Sequence, residues 1–112
     1  MADALEAIRI LNFALDAIEQ RQQVIANNVA NEATPGFTAS VVTFEGSLAH
    51  ALATGGTASA QILPEALAPG ADGNNVSLAA ELSLESATNL ENQSVANSIT
   101  GELTLLQTAI EG

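Results

Sequence analysis

Between Asp3 and Asn31 the residues Ile8, Leu11, Leu15, Ile18, Ile25 and Val29 follow steps of three and four, with Gln22 on the one polar rung. That spacing predicts a single helix over residues 3–31 carrying a seam for left-handed helix packing. A second ladder, Ile10, Phe13, Ala17 and Val24 with Gln20 in its gap, falls nearly opposite the first on the helical wheel. Two opposed apolar sides must both be covered. A helix of about 29 residues is roughly 43 Å long, whereas a compact domain of about 100 residues has a radius of gyration of only about 13 Å. Neighbouring copies are the simpler cover, so Ile10, Phe13 and Val24 are expected at a subunit interface.

Helical spacing resumes at Ser77, a predicted N-cap, and runs to residue 110 through Leu78, Leu82, Ala96, Ile99, Leu103, Leu106 and Ile110. Glu85, Asn89 and Asn92 share that register, and Gly101 costs about 1 kcal/mol relative to Ala inside a helix. The expected fold class is therefore all-α, with two long terminal helices packed as a coiled-coil hairpin. Its seam sets Ile8, Leu11, Leu15, Ile18, Ile25 and Val29 against Ile99, Leu103, Leu106 and Ile110, with the pairing register open. The connecting arm, residues 32–76, holds all three prolines and six of the eight glycines, and is expected to be extended with little regular structure. Within it, Thr38–Phe44 has β-branched content that permits extension, and the four-residue spacing of Phe44, Leu48 and Leu52 permits a short helix. The run Ala53–Ala60 has nothing to bury and is expected to be mobile in the free subunit. Residues 1–112 read as one domain.

The chain has thirteen Asp and Glu against two Arg, Arg9 and Arg21, for a formal net charge of -11. A phosphate-binding surface needs a clustered basic footprint, so nucleic acid is excluded as a partner. Direct binding to anionic lipid is excluded on the same ground. With no cysteine, thiolate chemistry and disulfides are absent. His50 stands in Ala49-His50-Ala51 with no second histidine, which provides neither a metal-ligand set nor a base paired with a nucleophile. Asp72-Gly73-Asn74-Asn75 begins like a calcium loop, but its twelfth position is Ser83, and the segment reads as a turn into the C-terminal helix. No catalytic residue, metal or cofactor is expected. The N-terminus lacks a secretory signal and no segment reaches the ~20 apolar residues that cross a bilayer. On those grounds alone the chain reads as cytosolic.

Asn27, Asn28 and Asn31 crowd the end of the first helix before Thr34-Pro35-Gly36-Phe37 stops it. Asn is a poor helix-interior residue because its side chain competes for backbone hydrogen bonds, so three together predict specified polar contacts. The run Gln20–Asn31 followed by Thr34-Pro35-Gly36-Phe37 resembles the N-terminal signature of the flagellar basal-body rod and hook family. Asp72-Gly73-Asn74-Asn75-Val76 with Leu78 and Glu81 is similar to the entry to that family's C-terminal helix. Asn89–Gln93 and Leu105–Ile110 continue the likeness, and the combination is similar to the proximal-rod members rather than the longer distal-rod or hook members, with the arm shared only in outline. Thr38 stands where relatives often carry a basic residue, and acidic, Asn and Ser residues replace basic and aromatic positions of the second helix.

The resemblance implies a structural subunit of a helical tube in the bacterial cell envelope, exported by the flagellar type III apparatus without a cleaved signal peptide. Its implied partners are further copies of the chain, other rod proteins, and membrane-ring or export-gate proteins at the rod base. The competing reading is a soluble cytosolic coiled-coil adaptor or export chaperone.

Overall fold

The computed structural model describes residues 3–112. Helix α1 spans Ala4–Ala30 and helix α3 spans Leu78–Glu111, joined by strand β1 (Ser40–Thr43), helix α2 (Glu45–Thr54) and strand β2 (Gln61–Pro64). Both long helices begin at side-chain caps, Asp3 accepting from the Glu6 amide and Ser77 from the Ala80 amide. Asn28 meets Glu81, Gln22 meets Asn89 and Arg21 meets Glu91, the crossed order of an antiparallel pair. The molecule is elongated, 64 × 22 × 14 Å with a radius of gyration of 17.3 Å.

The expectation of an all-α fold with an arm of little regular structure is corrected by the middle of the chain. β1 and β2 pair antiparallel, from Ser40 opposite Pro64 to Thr43 opposite Gln61, and α2 lies between them in sequence. The arm folds back because it has apolar residues to bury. Val42, Phe44, Ala51 and Ala58 are all buried, and they cover the second side of α1. Ile10, expected at a subunit interface, is 1% exposed in a cluster with Ala51 and Ala58. Phe13 packs on the same cluster, and Val24 packs on the one containing Val42 and Phe44. Helix α1 is thus sandwiched between the arm and α3. A helix longer than a compact globule's radius can still be covered by its own chain, because the molecule is itself elongated. Ala58, in the stretch expected to have nothing to bury, is itself buried against Ile10 and Ala51, because the arm folds back onto α1.

The α1–α3 contact is rotated from the expected seam. On α1 the buried line is Ala7, Leu11, Ala14, Ile18, Arg21, Ile25 and Asn28, while Ile8, Leu15 and Val29 are half-buried on its flank. On α3 the buried positions are Glu81, Thr88 and Val95, one every seven residues. Ile99 and Leu106 are half-buried, whereas Leu103 and Ile110 are exposed. Only part of the aliphatic ladder faces the partner helix, because small residues such as Ala14 and Thr88 allow the helix axes to approach and take the central positions.

Arg21 joins four elements at this contact. Its guanidinium donates to the Glu45 carboxylate of α2 at 2.8 Å, to Glu91 of α3 at 3.1 Å, and to the Val42 carbonyl of β1. It also lies 4.7 Å from the centroid of the Phe44 ring. Removing the cation would leave two carboxylates and a carbonyl without their shared donor. Breaking a buried pair costs about 3–5 kcal/mol, and the lower end applies here because Glu45 remains half open to water. Arg21→Ala is expected to lower the urea-unfolding free energy by about 3 kcal/mol. An Arg21→Lys variant should recover only part of that loss, since an ammonium cannot span the same forked set of acceptors.

Candidate functional site at the helix exit

The residues singled out at the end of α1 and before α3 meet in space. Asn31 closes α1, and Thr34-Pro35-Gly36-Phe37 forms a turn with the Phe37 amide donating to the Thr34 carbonyl at 3.2 Å. Pro35 supplies the fixed φ of the second turn position and Gly36, at φ +75°, the left-handed third position of a type II turn. Asp72 and Gly73 lie against this turn, with the Gly36 amide donating to the Asp72 carbonyl at 2.8 Å. Gly73 has φ +82°, and a Cβ there would sit 3.2 Å from the Gly36 Cα. Both its backbone angle and that approach favour glycine.

Three buried carboxamides tie the exit together. Asn74 donates to the carbonyls of Asn31 and Thr34, each at 2.8 Å, and accepts from the Val76 amide. Asn75 donates to the carbonyls of Glu65 and Leu67 and accepts from the Ala39 amide at 2.7 Å. Asn28 donates to the Ser40 carbonyl and to Glu81 while accepting from the Ser40 amide at 3.0 Å. Each side chain thus uses both N–H groups and its oxygen, which Asp, lacking donors, could not do. Together they fix the start of β1, the end of α1, the loop after β2 and the entry to α3. Asn27 and Asn31 serve the helix end itself: Asn31 donates to the Asn27 carbonyl and accepts from the Thr34 hydroxyl. Phe37 is half-buried, and Thr34, Pro35, Asp72 and Gly73 are exposed, so the clasp has a polar outer surface.

The site has an electrostatic side. Burial holds the Glu81 carboxyl above the usual carboxylate range, helped by the charge of Glu65 and opposed by the Asn28 hydrogen bond. One Glu81 oxygen is buried without a partner. Glu91 is also raised, first by burial and then by the neighbouring Glu45, against the pull of Arg21. The Arg21 hydrogen bond, assisted by backbone amides, overcomes burial and holds Glu45 down at about 2.

The two directions act in different pH windows. For Glu81 and Glu91 the folded state binds the proton more tightly than the unfolded one, so stability rises as pH falls through their raised values. For Glu45 the stabilisation is full above the ordinary glutamate range and is lost as pH falls through it toward about 2.

The sequence reading missed Arg21 and Glu81 as buried groups. The available signal was the seven-residue repeat Ala7, Ala14, Arg21, Asn28, which a search for large apolar residues passes over. Among the described residues no group of three or more His, Cys, Asp or Glu is placed to hold a metal ion. None of the described helices is long and apolar enough to cross a membrane.

Residues 8–38 match the family model described as flagella basal body rod protein. The matched segment takes in most of α1, the proline turn and the residue after Phe37. No curated protein sequence matches the chain. The family match supports a structural role among rod components and a location at the flagellar basal body.

Two outcomes test the clasp. Asn74→Asp should set a carboxylate against two carbonyls and lower stability by several kcal/mol, since an orphaned buried polar group costs about 1–3 kcal/mol and a charged one more. Gly73→Ala should cost about 1–2 kcal/mol from the left-handed backbone alone. In thermal melts the wild-type midpoint should rise on acidification from neutral pH through the raised values of Glu81 and Glu91, and fall as pH drops through the ordinary glutamate range toward about 2. Glu81→Gln should flatten the rising part while leaving the acid loss in place.

Proposed function

We propose that the chain is a structural subunit of the proximal rod of the bacterial flagellum, part of the helical drive shaft and of the wall of its export channel. In this reading it reaches the periplasmic part of the cell envelope through the flagellar type III apparatus without a cleaved signal peptide. It then packs against further copies, other rod proteins, and ring or export-gate proteins at the rod base, and so serves flagellum-dependent motility. The family match over residues 8–38 carries the proposal.

The form of the molecule agrees with that role. Leu103, Leu105 and Ile110 are 51%, 63% and 78% exposed on the last turns of α3. The antiparallel register takes the end of α3 to the start of α1, and among the described residues no element covers Ile110. An apolar helix end exposed to water is suited to docking on a neighbouring helix. The alternative, a cytosolic coiled-coil adaptor or export chaperone, could share the hairpin but would remain in the soluble fraction.

Detergent-resistant basal bodies should contain the chain by mass spectrometry. Leu105→Asp, at an exposed position, should leave folding and export intact while abolishing incorporation and motility. Finding the wild-type chain only in the cytosol would decide for the adaptor reading.

A further inference from the structure

The rotation of the α1–α3 contact leaves an apolar flank uncovered. Ile25, Ala26, Val29 and Ala30 of α1 and Leu82 and Glu85 of α3 line an open groove of about 540 Å³, which no residue of the arm lines. Leu82 is 57% exposed there. Ala26 and Ala30 are four residues apart on one face, and such small side chains let a third helix approach closely between two others. The groove spans about two helical turns, the length over which two or three apolar side chains of an incoming helix would be buried.

Charge selects the occupant. The Glu85 carboxylate in the wall has the Gln22 carboxamide beside it at 3.5 Å and no cation. Of the chain's two arginines, Arg21 is occupied by Glu45 and Glu91. Arg9 is directed to the Gly55 and Gly56 carbonyls of the arm, at 3.5 and 3.4 Å. A second copy would bring its own charge of -11 to the groove and offer it at most Arg9. We propose that the groove between α1 and α3 receives an amphipathic helix of a different, basic protein, with its apolar stripe on Ala26, Val29 and Leu82 and a Lys or Arg beside Glu85. The inference deepens the rod reading, in that it names the chemistry of one neighbour that such a subunit would take.

The test uses the purified full chain and a three-heptad synthetic helix with Leu along one stripe and Lys beside it. Two controls have the same composition in scrambled order, or Glu in place of Lys. Titration calorimetry should show micromolar binding of the Leu-Lys helix that weakens about tenfold as salt rises from low to high ionic strength. Amide shifts should centre on Val29, Ala30 and Leu82. Glu85→Lys should weaken that binding about tenfold and admit the Leu-Glu helix, and Leu82→Asp should abolish it, both variants retaining wild-type helical circular dichroism. Equal binding of the scrambled peptide, indifference to Glu85→Lys, or dimerisation of the chain through the groove would each overturn the proposal. Groove binding is read on the isolated chain, so its result is independent of whether the chain is found in basal bodies.

Discussion

The position of one buried cation organises the molecule. Arg21 stands at the middle of α1 and supplies hydrogen bonds to β1, α2 and α3 at once. In a chain with only two basic side chains, that concentration is a topological constraint. The arm can fold against α1 only where Val42 and Glu45 reach the guanidinium, and α3 can pass only where Glu91 does. A buried ion pair adds little net stability over a hydrophobic substitute, but its geometry is demanding. Aliphatic residues alone would permit the helices to slide by a turn, whereas a forked cation with three fixed acceptors does not. Phe44, against the guanidinium face, closes the arrangement on the arm side.

The long helices and the motif at their junction were legible in the sequence. The rotation of the helices was not. Ile8, Leu15 and Val29 drew the seam toward themselves because they are large and apolar, while the line buried in the fold passes through Ala7, Ala14, Arg21 and Asn28. Hydrophobic periodicity reports which residues would gain from burial, and small residues gain little, yet they are what fits where two backbones approach. Leu11, Ile18 and Ile25 lie on both the expected seam and the buried line, whereas Ile8, Leu15 and Val29 lie one position from it. On α3 the same displacement puts Glu81, Thr88 and Val95 inward and leaves Leu78, Leu82 and Leu103 outward.

The arm was misread for a related reason. Its prolines and glycines are real chain breakers, but they fall at the turns between short elements, apart from Gly46 in the first turn of α2 and Pro64 at a strand end. Ala51 and Ala58 are too small to register as core, yet with Phe13, Leu48 and Leu52 packed around them they bury Ile10. The carboxamides could be read because their cost in a helix end is itself a signal: Asn28 and Asn31 compete with backbone hydrogen bonds unless other partners are provided. What the sequence could not supply was the partner list. Asn28 reaches Ser40 and Glu81, and Asn74 reaches Asn31 and Thr34 across a separation of about 40 residues.

These two displacements have one consequence for assembly. The side of α1 that was expected to meet neighbours is covered by its own arm, and Leu103 and Ile110, expected inside the hairpin, are on its surface. Apolar surface has therefore moved from α1 to the flank and the free end of α3, where the carboxylates Glu85 and Glu102 also lie. Like-charged copies brought together on that surface would repel while their apolar groups attracted, with repulsion reaching about 8 Å at physiological ionic strength. A basic neighbour reverses the sign of the first effect and retains the second. An acidic chain with its cations committed internally thus favours, at that groove, contact with a basic protein over contact with itself.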